Sequence, residues 1–315
     1  MRHLKLWVYS KEGKKIMGLI PKFYMEAVIS IGIRIASDIK WIGTGFFVIK
    51  KMKGREAYLP FMVTNRHVIE NNDTIVIRLK EKDTGELKII DMPVVDNGKK
   101  LYSTSSDLNI DIAVASLNGS YIITNNLEFA AFDIDEHAVS SSEFLTKGGD
   151  EGTYIYMLGF PMGLVNVDSN APICRGGCVA RIDSKEIKKT KNILLDIQNF
   201  PGNSGSPIIS KPEIVGIEGE PVLNKSVLIG IIHGYLPYKE SLINSQTHEI
   251  VEIRSENSGI AVANPTEFIR MLVDKEICRA HLLPETEEPE GQAVETRGSG
   301  TVNTTTTGGA DNFWT

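Results

Sequence analysis

The chain has 315 residues, of which 42% are hydrophobic and 23% charged, so it can build a sizeable core. This composition excludes a mostly disordered, collagen-like or coiled-coil protein. The net charge of -6, from 40 acidic and 34 basic residues, excludes a basic body that binds nucleic acid.

A basic segment opens the chain. Residues 1–24 carry six Lys or Arg residues and a single acid, Glu12. Charges interrupt their apolar residues too often for a secretory leader, and no apolar run is long enough to span a membrane. We therefore predict a basic N-terminal extension (1–24), a cytoplasmic protein and no membrane contact. Cys174 and Cys178 lack the second ligand pair that zinc requires, so we predict no metal.

Two series of short β-branched segments follow, separated by clusters of Gly, Asn, Asp and Lys. The segments are Ala27–Ala36, Gly45–Ile49, Thr74–Leu79 and Ile110–Leu117, then Thr153–Leu158, Gly177–Ile182, Ile193–Ile197, Val227–Ile232 and Ile260–Val262. Strands and helices do not alternate, which argues against a doubly wound or (β/α)₈ fold. The pattern predicts an all-β protein with consecutive domains at residues 25–125 and 126–265.

A helix and a polar tail end the chain. Asn264 and Pro265 open a segment with apolar residues at helical spacing, which predicts a C-terminal helix over residues 266–283. Residues 284–315 carry six acids and one base, and the composition predicts an acidic disordered tail.

The loop from Pro201 to Pro207 (PGNSGSP) surrounds Ser204 with small residues, so that backbone N–H groups can converge beside it. A serine protease needs that arrangement to stabilise the oxyanion of its tetrahedral intermediate. Taken alone, the loop is equally compatible with an ordinary glycine-rich hairpin.

Two further residues complete a possible triad. His67 lies beside a strand in VTNRHVI, and Asp111 opens the apolar segment DIAVASL, with Asp107 as a rival acid. Each has an ordinary structural explanation, but the order His, Asp, Ser is far more specific than any one residue. An α/β-hydrolase is excluded because Ser206 breaks the Gly-x-Ser-x-Gly elbow and the triad order differs.

These motifs resemble the trypsin-like (chymotrypsin-fold) serine proteases, close to the bacterial branch that includes the HtrA/Deg proteases. The resemblance covers about residues 27–275, but too few residues follow for a PDZ domain. Its motifs are GTGFFV (43–48), VTNRHVI (63–69), GFPMG (159–163), DIAVASL (111–117), DIQNFPGNSGSPI (196–208) and SGIAV (258–262).

The resemblance implies two antiparallel β-barrels and cofactor-free hydrolysis of protein or peptide substrates through an acyl-enzyme. Ser204 would be the nucleophile, His67 the general base and Asp111 the residue that orients it. The N–H groups of Gly202 and Ser204 would form the oxyanion hole. Asn203 replaces the Asp that pairs with a new N-terminus in secreted members, so activation by that route is not expected.

The substrate pocket is less specified. The resemblance places the S1 wall at Gln198, Asn199 and Phe200 and at His233, Gly234 and Tyr235. Gln198 at the base disfavours Lys or Arg substrates, and His233 could instead contact Asp111 or simply pack in its strand.

Alternative functions stay open. The chain could be a latent or partner-activated module that holds peptides in its cleft, although such a module has no need of the whole triad. A viral polyprotein protease of similar fold is a third possibility. The tail and the N-terminal extension are candidate docking sites for an activating protein partner.

Overall fold

A computed structural model describes residues 20–213, 216, 219 and 221–281. Most of the basic extension and the whole acidic tail lie outside these residues, so what we predicted for them stays a prediction. None of the described helices is long and apolar enough to cross a membrane.

The described chain is mostly β. Its helices are α1 (Lys22–Glu26), α2 (Arg66–Ile69), α3 (Gly119–Thr124), α4 (Ser141–Thr146), α5 (Ser184–Thr190) and α6 (Thr266–Arg279). Its strands are β1 (Val28–Ile35), β2 (Asp38–Lys51), β3 (Tyr58–Thr64), β4 (Thr74–Lys80), β5 (Leu87–Pro93), β6 (Val95–Asp96), β7 (Lys99–Lys100), β8 (Ser103–Thr104), β9 (Ala113–Ser116), β10 (Phe132–Asp133), β11 (Tyr154–Gly159), β12 (Ile173–Arg181), β13 (Ile193–Asp196), β14 (Pro207–Ser210), β15 (Leu228–Ile243) and β16 (Ile250–Pro265).

Most of the strands form two successive β-units, and β6 and β7 pair with each other in a separate two-stranded sheet. The first is a sheet in the order β5-β4-β1-β2-β3-β9-β8, with β10 added beside β2, and the second is a closed barrel in the order β11-β12-β13-β16-β15-β14. The all-β class, the two units and the C-terminal helix are therefore confirmed. Hydrogen bonds close the second unit into a barrel, whereas the path of the first stays open between β5 and β8.

Three hydrophobic clusters fill the molecule. One lies within the first unit, around Phe47 and Ile77, and another within the second, around Phe144 and Leu195. The third joins the two units, because it contains Phe46 from β2 as well as Leu158 from β11. The two units are therefore joined by shared apolar packing.

Helix α6 belongs to this shared packing. Its buried side chains include Ile269, Leu272 and Val273, which recur on one face at the spacing that predicted the helix. The helix follows directly from β16 of the barrel yet packs against β8 and β9 of the first unit. It thereby ties the two units together.

Candidate active site

The pairing of β3 with β9 brings His67 and Asp111 together. Thr64, the last residue of β3, lies opposite Ala113, the first residue of β9. The residues that follow β3 and those that precede β9 therefore meet at the same edge. His67 lies in the first turn of α2, and Asp111 faces it from two residues before β9.

Direct hydrogen bonds join the two residues. The backbone N–H of His67 donates to Asp111 Oδ1 at 3.1 Å, and the ring Nδ1 of His67 is bonded to Asp111 Oδ2. Because an ionised carboxylate only accepts, the proton of the neutral ring lies on Nδ1 and Nε2 keeps a free lone pair. The Asp111 side chain is 13% exposed and the His67 side chain 44% exposed, so the imidazole is accessible from solvent while the carboxylate is mostly covered.

Asn264 on β16 holds the backbone beside Asp111. Its Oδ1 accepts the N–H of Asp111 at 2.9 Å, which fixes the orientation of its amide group. Its two Nδ2 hydrogens are shared among three acceptors, the carbonyls of Asn109 and Lys191, both at 2.9 Å, and Asn192 Oδ1 at 3.0 Å. The Asn264 side chain is fully buried, and it joins a loop of the first unit to the α5–β13 turn of the second.

His233 extends this network. Its Nε2 lies 2.8 Å from Asn192 Oδ1, which acts as an acceptor towards Asn264, so the His233 ring must donate from Nε2. Burial lowers the pKa of His233 to about 4; Asp111 acts in the opposite direction, and His67 lowers it further. His233 is therefore neutral at pH 7 and lies within electrostatic reach of both residues.

The loop that carries Ser204 is held by its carbonyl groups. All five carbonyls from Phe200 to Ser204 accept hydrogen bonds from within the chain. The donors, in order, are the N–H of Asn203 (3.1 Å), the N–H of Met162 (2.5 Å), the hydroxyl of Thr44 (2.7 Å), the N–H of Ser206 (2.9 Å) and the N–H of Thr44 (2.8 Å).

This arrangement leaves two donors unused. The N–H and C=O groups of a trans peptide point in opposite directions, so the N–H groups of Gly202 and Ser204 point away from Met162 and Ser206. Within the described residues, neither N–H donates a hydrogen bond to another group of the protein. The loop therefore leaves two N–H groups, two residues apart, without an acceptor in the described part of the chain.

Two positions in the loop require glycine, because each has a positive φ and no space for a Cβ. Gly202 has φ +93°, and a Cβ there would lie 2.4 Å from the carbonyl oxygen of Phe160. Gly205 has φ +91°, and its Cβ would lie 1.9 Å from the carbonyl oxygen of Thr44.

The GTGFFV segment of β2 lies between Ser204 and the helix of His67. A Cβ on Gly43 would lie 2.7 Å from the side chain of Val68, the residue after His67, and 3.4 Å from the carbonyl oxygen of Ser204. The backbone of Gly43 therefore lies directly between the helix of His67 and the Ser204 loop, with no room for a side chain. Within the described chain, Ser204 Oγ makes no hydrogen bond to His67.

Asn199 connects the segments that we predicted to line S1. It is 4% exposed, its Nδ2 donates to the Gly234 carbonyl at 2.9 Å, and its own carbonyl accepts from Asn257 Nδ2 at 2.6 Å. Gln198 is exposed, and its Nε2 would lie 3.4 Å from a Cβ on Gly259. The loop, β15 and β16 therefore meet around Asn199.

The other predicted pocket residues differ in their surroundings. The guanidinium of Arg175 lies 5.2 Å from the centre of the Phe200 ring, and Tyr235 is 42% exposed. The His233 ring is bonded to Asn192, behind Asp111. The assignment of all six residues to S1 stays a prediction.

Comparison with models of known protein families identifies the family of the chain. The model of the trypsin-like peptidase domain matches residues 43–217, more than half of the chain. The chain belongs to this family. No curated protein matches this trypsin-like peptidase.

Two solved structures are similar to the trypsin-like peptidase in overall path. One is the protease domain of MamO from Magnetospirillum magneticum in its apo form, with 12% identity, a TM-score of 0.42, and coverage of 79% of this chain and 96% of that chain. The other is the catalytically active tobacco etch virus protease complexed with product, with 11% identity, a TM-score of 0.41, and coverage of 85% and 87%.

Several residues that shape this trypsin-like peptidase site were not predicted. The sequence identifies Asn264 only as the opening of the last helix, because Asn followed by Pro is a common helix start. The sequence identifies Thr44 only as part of a strand motif, although its hydroxyl and its N–H donate to two carbonyls of the Ser204 loop. Asn192 follows a polar lysine-rich stretch and carries no sequence signal.

Proposed function

We propose that this trypsin-like peptidase is a serine endopeptidase that uses Ser204, His67 and Asp111 to hydrolyse peptide bonds. The observation that carries the proposal is the loop in which five engaged carbonyls leave the N–H groups of Gly202 and Ser204 free. A binding loop needs no such pair of unused donors. Two fixed donors beside a nucleophile are what an oxyanion requires.

The first half of the reaction forms an acyl-enzyme. Ser204 Oγ attacks the carbonyl carbon of the scissile bond while its proton passes to the free Nε2 of His67. The carbonyl oxygen becomes an oxyanion that accepts from the N–H groups of Gly202 and Ser204, each worth about 3 kcal/mol of barrier. Protonated His67 then gives the proton to the departing amine, and the C–N bond breaks.

The second half releases the acyl group. Water gives a proton to His67 Nε2 and attacks the ester carbon, and the proton returns to Ser204 Oγ as the ester bond breaks. Throughout, the two hydrogen bonds from His67 to Asp111 fix the ring orientation and stabilise its charged form. The substrates follow from the family as proteins or peptides, and no cofactor takes part in these steps.

Labelling by a fluorophosphonate tests this proposal, because the reagent reacts only with an activated serine. We expect the wild-type protein to be labelled and to hydrolyse fluorescein-labelled casein, and Ser204→Ala to do neither. Ser206→Ala is the matched control, since Ser206 is buried two residues away and its Oγ has no partner within the described chain. Equal labelling of wild type and Ser204→Ala, or a folded wild type that stays unlabelled, would refute the assignment.

A further inference from the structure

The hairpin of β15 and β16 extends beyond the barrel. Pairing of β15 with β14 ends at Ile231, and pairing of β16 with β13 ends at Ile260. The two strands nevertheless stay paired with each other as far as Ile243 and Ile250. Residues 235–257, which we call the arm, therefore form a two-stranded ribbon that pairs with no other described strand. At about 3.3 Å per residue, the paired part of the arm is roughly 20 Å long.

The arm is exposed on both faces and rich in apolar side chains. Residues 235–256 are all exposed. They include eight large apolar residues: Tyr235, Leu236, Tyr238, Leu242, Ile243, Ile250, Val251 and Ile253. A two-stranded hairpin is marginally stable in water, and a free strand edge can pair with another chain. An apolar ribbon with two free edges is thus suited to bind an extended segment of polypeptide.

The arm is continuous with the wall of the proposed active-site cleft. Ile232 on β15 makes two hydrogen bonds with the Ser204 loop. Its N–H donates to the Ser206 carbonyl, and its carbonyl accepts the N–H of Gly205, each at 3.0 Å. Two residues later, the Gly234 carbonyl accepts from Asn199, and the arm's own Asn257 holds the Asn199 carbonyl. One strand therefore runs from the loop of Ser204 into the arm.

The charges of the arm restrict what can bind it. It carries four glutamates and two bases; the glutamates are Glu240, Glu249, Glu252 and Glu256, and the bases Lys239 and Arg254. The arm therefore has an excess of negative charge, which repels other negatively charged segments. This disfavours the acidic tail as the occupant, and it also disfavours a second arm from another copy of the chain. An apolar or weakly basic segment fits best.

We propose that the arm is an exosite that binds an extended apolar segment of a protein substrate by strand addition. The proposal rests on the proposed function. The bound segment lies on the acyl side of the scissile bond, because the arm continues from Asn199 and Gly234, which we assigned to the pocket for the acyl-side residue. Short peptides end before they reach the arm, whereas unfolded proteins extend along it.

A shortened arm tests the exosite. Replacing residues 239–255 by Asn-Gly joins Tyr238 to Glu256, which already lie opposite each other, through a turn that such hairpins favour. Fluorescein-labelled casein is the long substrate, a mixture of internally quenched hexapeptides is the short one, and fluorophosphonate titration gives the active fraction. We expect kcat/KM for casein to fall at least tenfold, with labelling and hexapeptide hydrolysis unchanged.

Point variants locate the contact. Replacing Ile243, Ile250 and Ile253 together by Ser removes apolar surface without shortening the arm and should lower kcat/KM for casein several-fold. Replacing the cross-strand pair Glu240 and Arg254 by Ser is the matched control and should leave it unchanged. Equal casein hydrolysis by wild type and the shortened arm would overturn the exosite.

Binding measured without turnover separates this proposal from the proposed function. In the Ser204→Ala background, fluorescence anisotropy should show casein binding at least tenfold weaker with the shortened arm. This result holds whether or not the wild type is active, whereas failure of the proposed function shows as absence of labelling in every variant. A wild-type dimer that the shortened arm converts to a monomer, with casein binding unchanged, would assign the arm to self-association and overturn the exosite.

Discussion

Gly202 combines a backbone conformation that favours glycine with a close neighbour. Its φ is +93°, and a Cβ would lie 2.4 Å from the Phe160 carbonyl oxygen. We expect Gly202→Ala to turn the peptide that carries the Gly202 N–H and to lower kcat by at least about 100-fold, the usual effect of losing one oxyanion donor. The rate of casein hydrolysis per folded molecule measures the loss.

Gly85→Ala is the control for backbone strain alone. Gly85 also has a positive φ, +71°, but nothing lies within 4 Å of a Cβ at that position. This variant should lose about 1 kcal/mol of stability and keep full activity. Full activity of Gly202→Ala would show that the Gly202 N–H takes no part in catalysis.

His233 should make the stability of the protein depend on pH. Burial lowers its pKa from 6.5 to about 4, so between these values the unfolded chain binds more protons than the folded chain. The contribution of His233 to the free energy of unfolding is therefore fully present well above pH 6.5. It falls as the pH drops towards 4, by about 2 kcal/mol at pH 5.

The variant His233→Gln isolates this contribution. Glutamine does not titrate, and its amide N–H can still donate to Asn192. Urea unfolding at pH 7.5 and pH 5 should show a smaller loss for His233→Gln than for the wild type. His137, whose pKa burial also lowers, is present in both proteins and cancels in the comparison. Equal losses in the two proteins would contradict the buried, neutral state of His233.

Helix α6 is attached to the first unit through a buried carboxylate. Glu276 is 0% exposed, its Oε2 accepts from Ser103 Oγ at 2.8 Å, and its Oε1 accepts the N–H of Ser116 at 3.0 Å. Arg279 donates to both oxygens at 2.6 Å. Glu276→Ala leaves these donors without their acceptor, and we expect a loss of about 3–5 kcal/mol in the free energy of unfolding, measured in urea.

An exposed ion pair on the same helix provides the comparison. Asp274 pairs with Lys50 at 2.5 Å, but its side chain is 61% exposed. Asp274→Ala should therefore cost at most about 1 kcal/mol, because water screens the pair. Similar losses for Asp274→Ala and Glu276→Ala would mean that burial does not set the strength of the attachment.

The strands that the sequence predicted best are those buried on at least one face. The β-branched segment Ala27–Ala36 corresponds to β1, which runs from Val28 to Ile35. By contrast, Ile260–Val262 is only a small part of β16, which begins at Ile250. The sequence does not predict the arm, because both its faces are exposed and its side chains show no alternation of apolar and polar residues.

The candidate site could be predicted only in part, for a related reason. The motifs around His67, Asp111 and Ser204 are local, and the structure brings His67 and Asp111 into contact. The hydrogen bonds that hold these motifs in place join segments that are distant in sequence. Asn264 is 153 residues from Asp111, and Thr44 is 158 residues from Gly202. No periodicity or composition encodes such pairings.

Asn264 makes the position of Asp111 depend on both β-units. Its Oδ1 holds the Asp111 N–H of the first unit, while its Nδ2 holds the Lys191 carbonyl and Asn192 of the second. We expect Asn264→Ala to lower the free energy of unfolding by about 2–3 kcal/mol, because buried groups lose their partners. It should also slow fluorophosphonate labelling of Ser204, since Asp111 is no longer fixed beside His67.

Asn264→Asp sharpens this test. The carboxylate can still accept from the Asp111 N–H, but it presents an oxygen to acceptors that the amide had bonded. It should therefore destabilise the protein more than Asn264→Ala does, even though it is closer in shape. Asn125→Ala is the control, because Asn125 is exposed and its side chain donates a hydrogen bond to the Tyr121 carbonyl, which also accepts the backbone N–H of Asn125. If Asn264→Ala unfolded at the same urea concentration as that control and was labelled at the wild-type rate, the two units would hold Asp111 in place without Asn264.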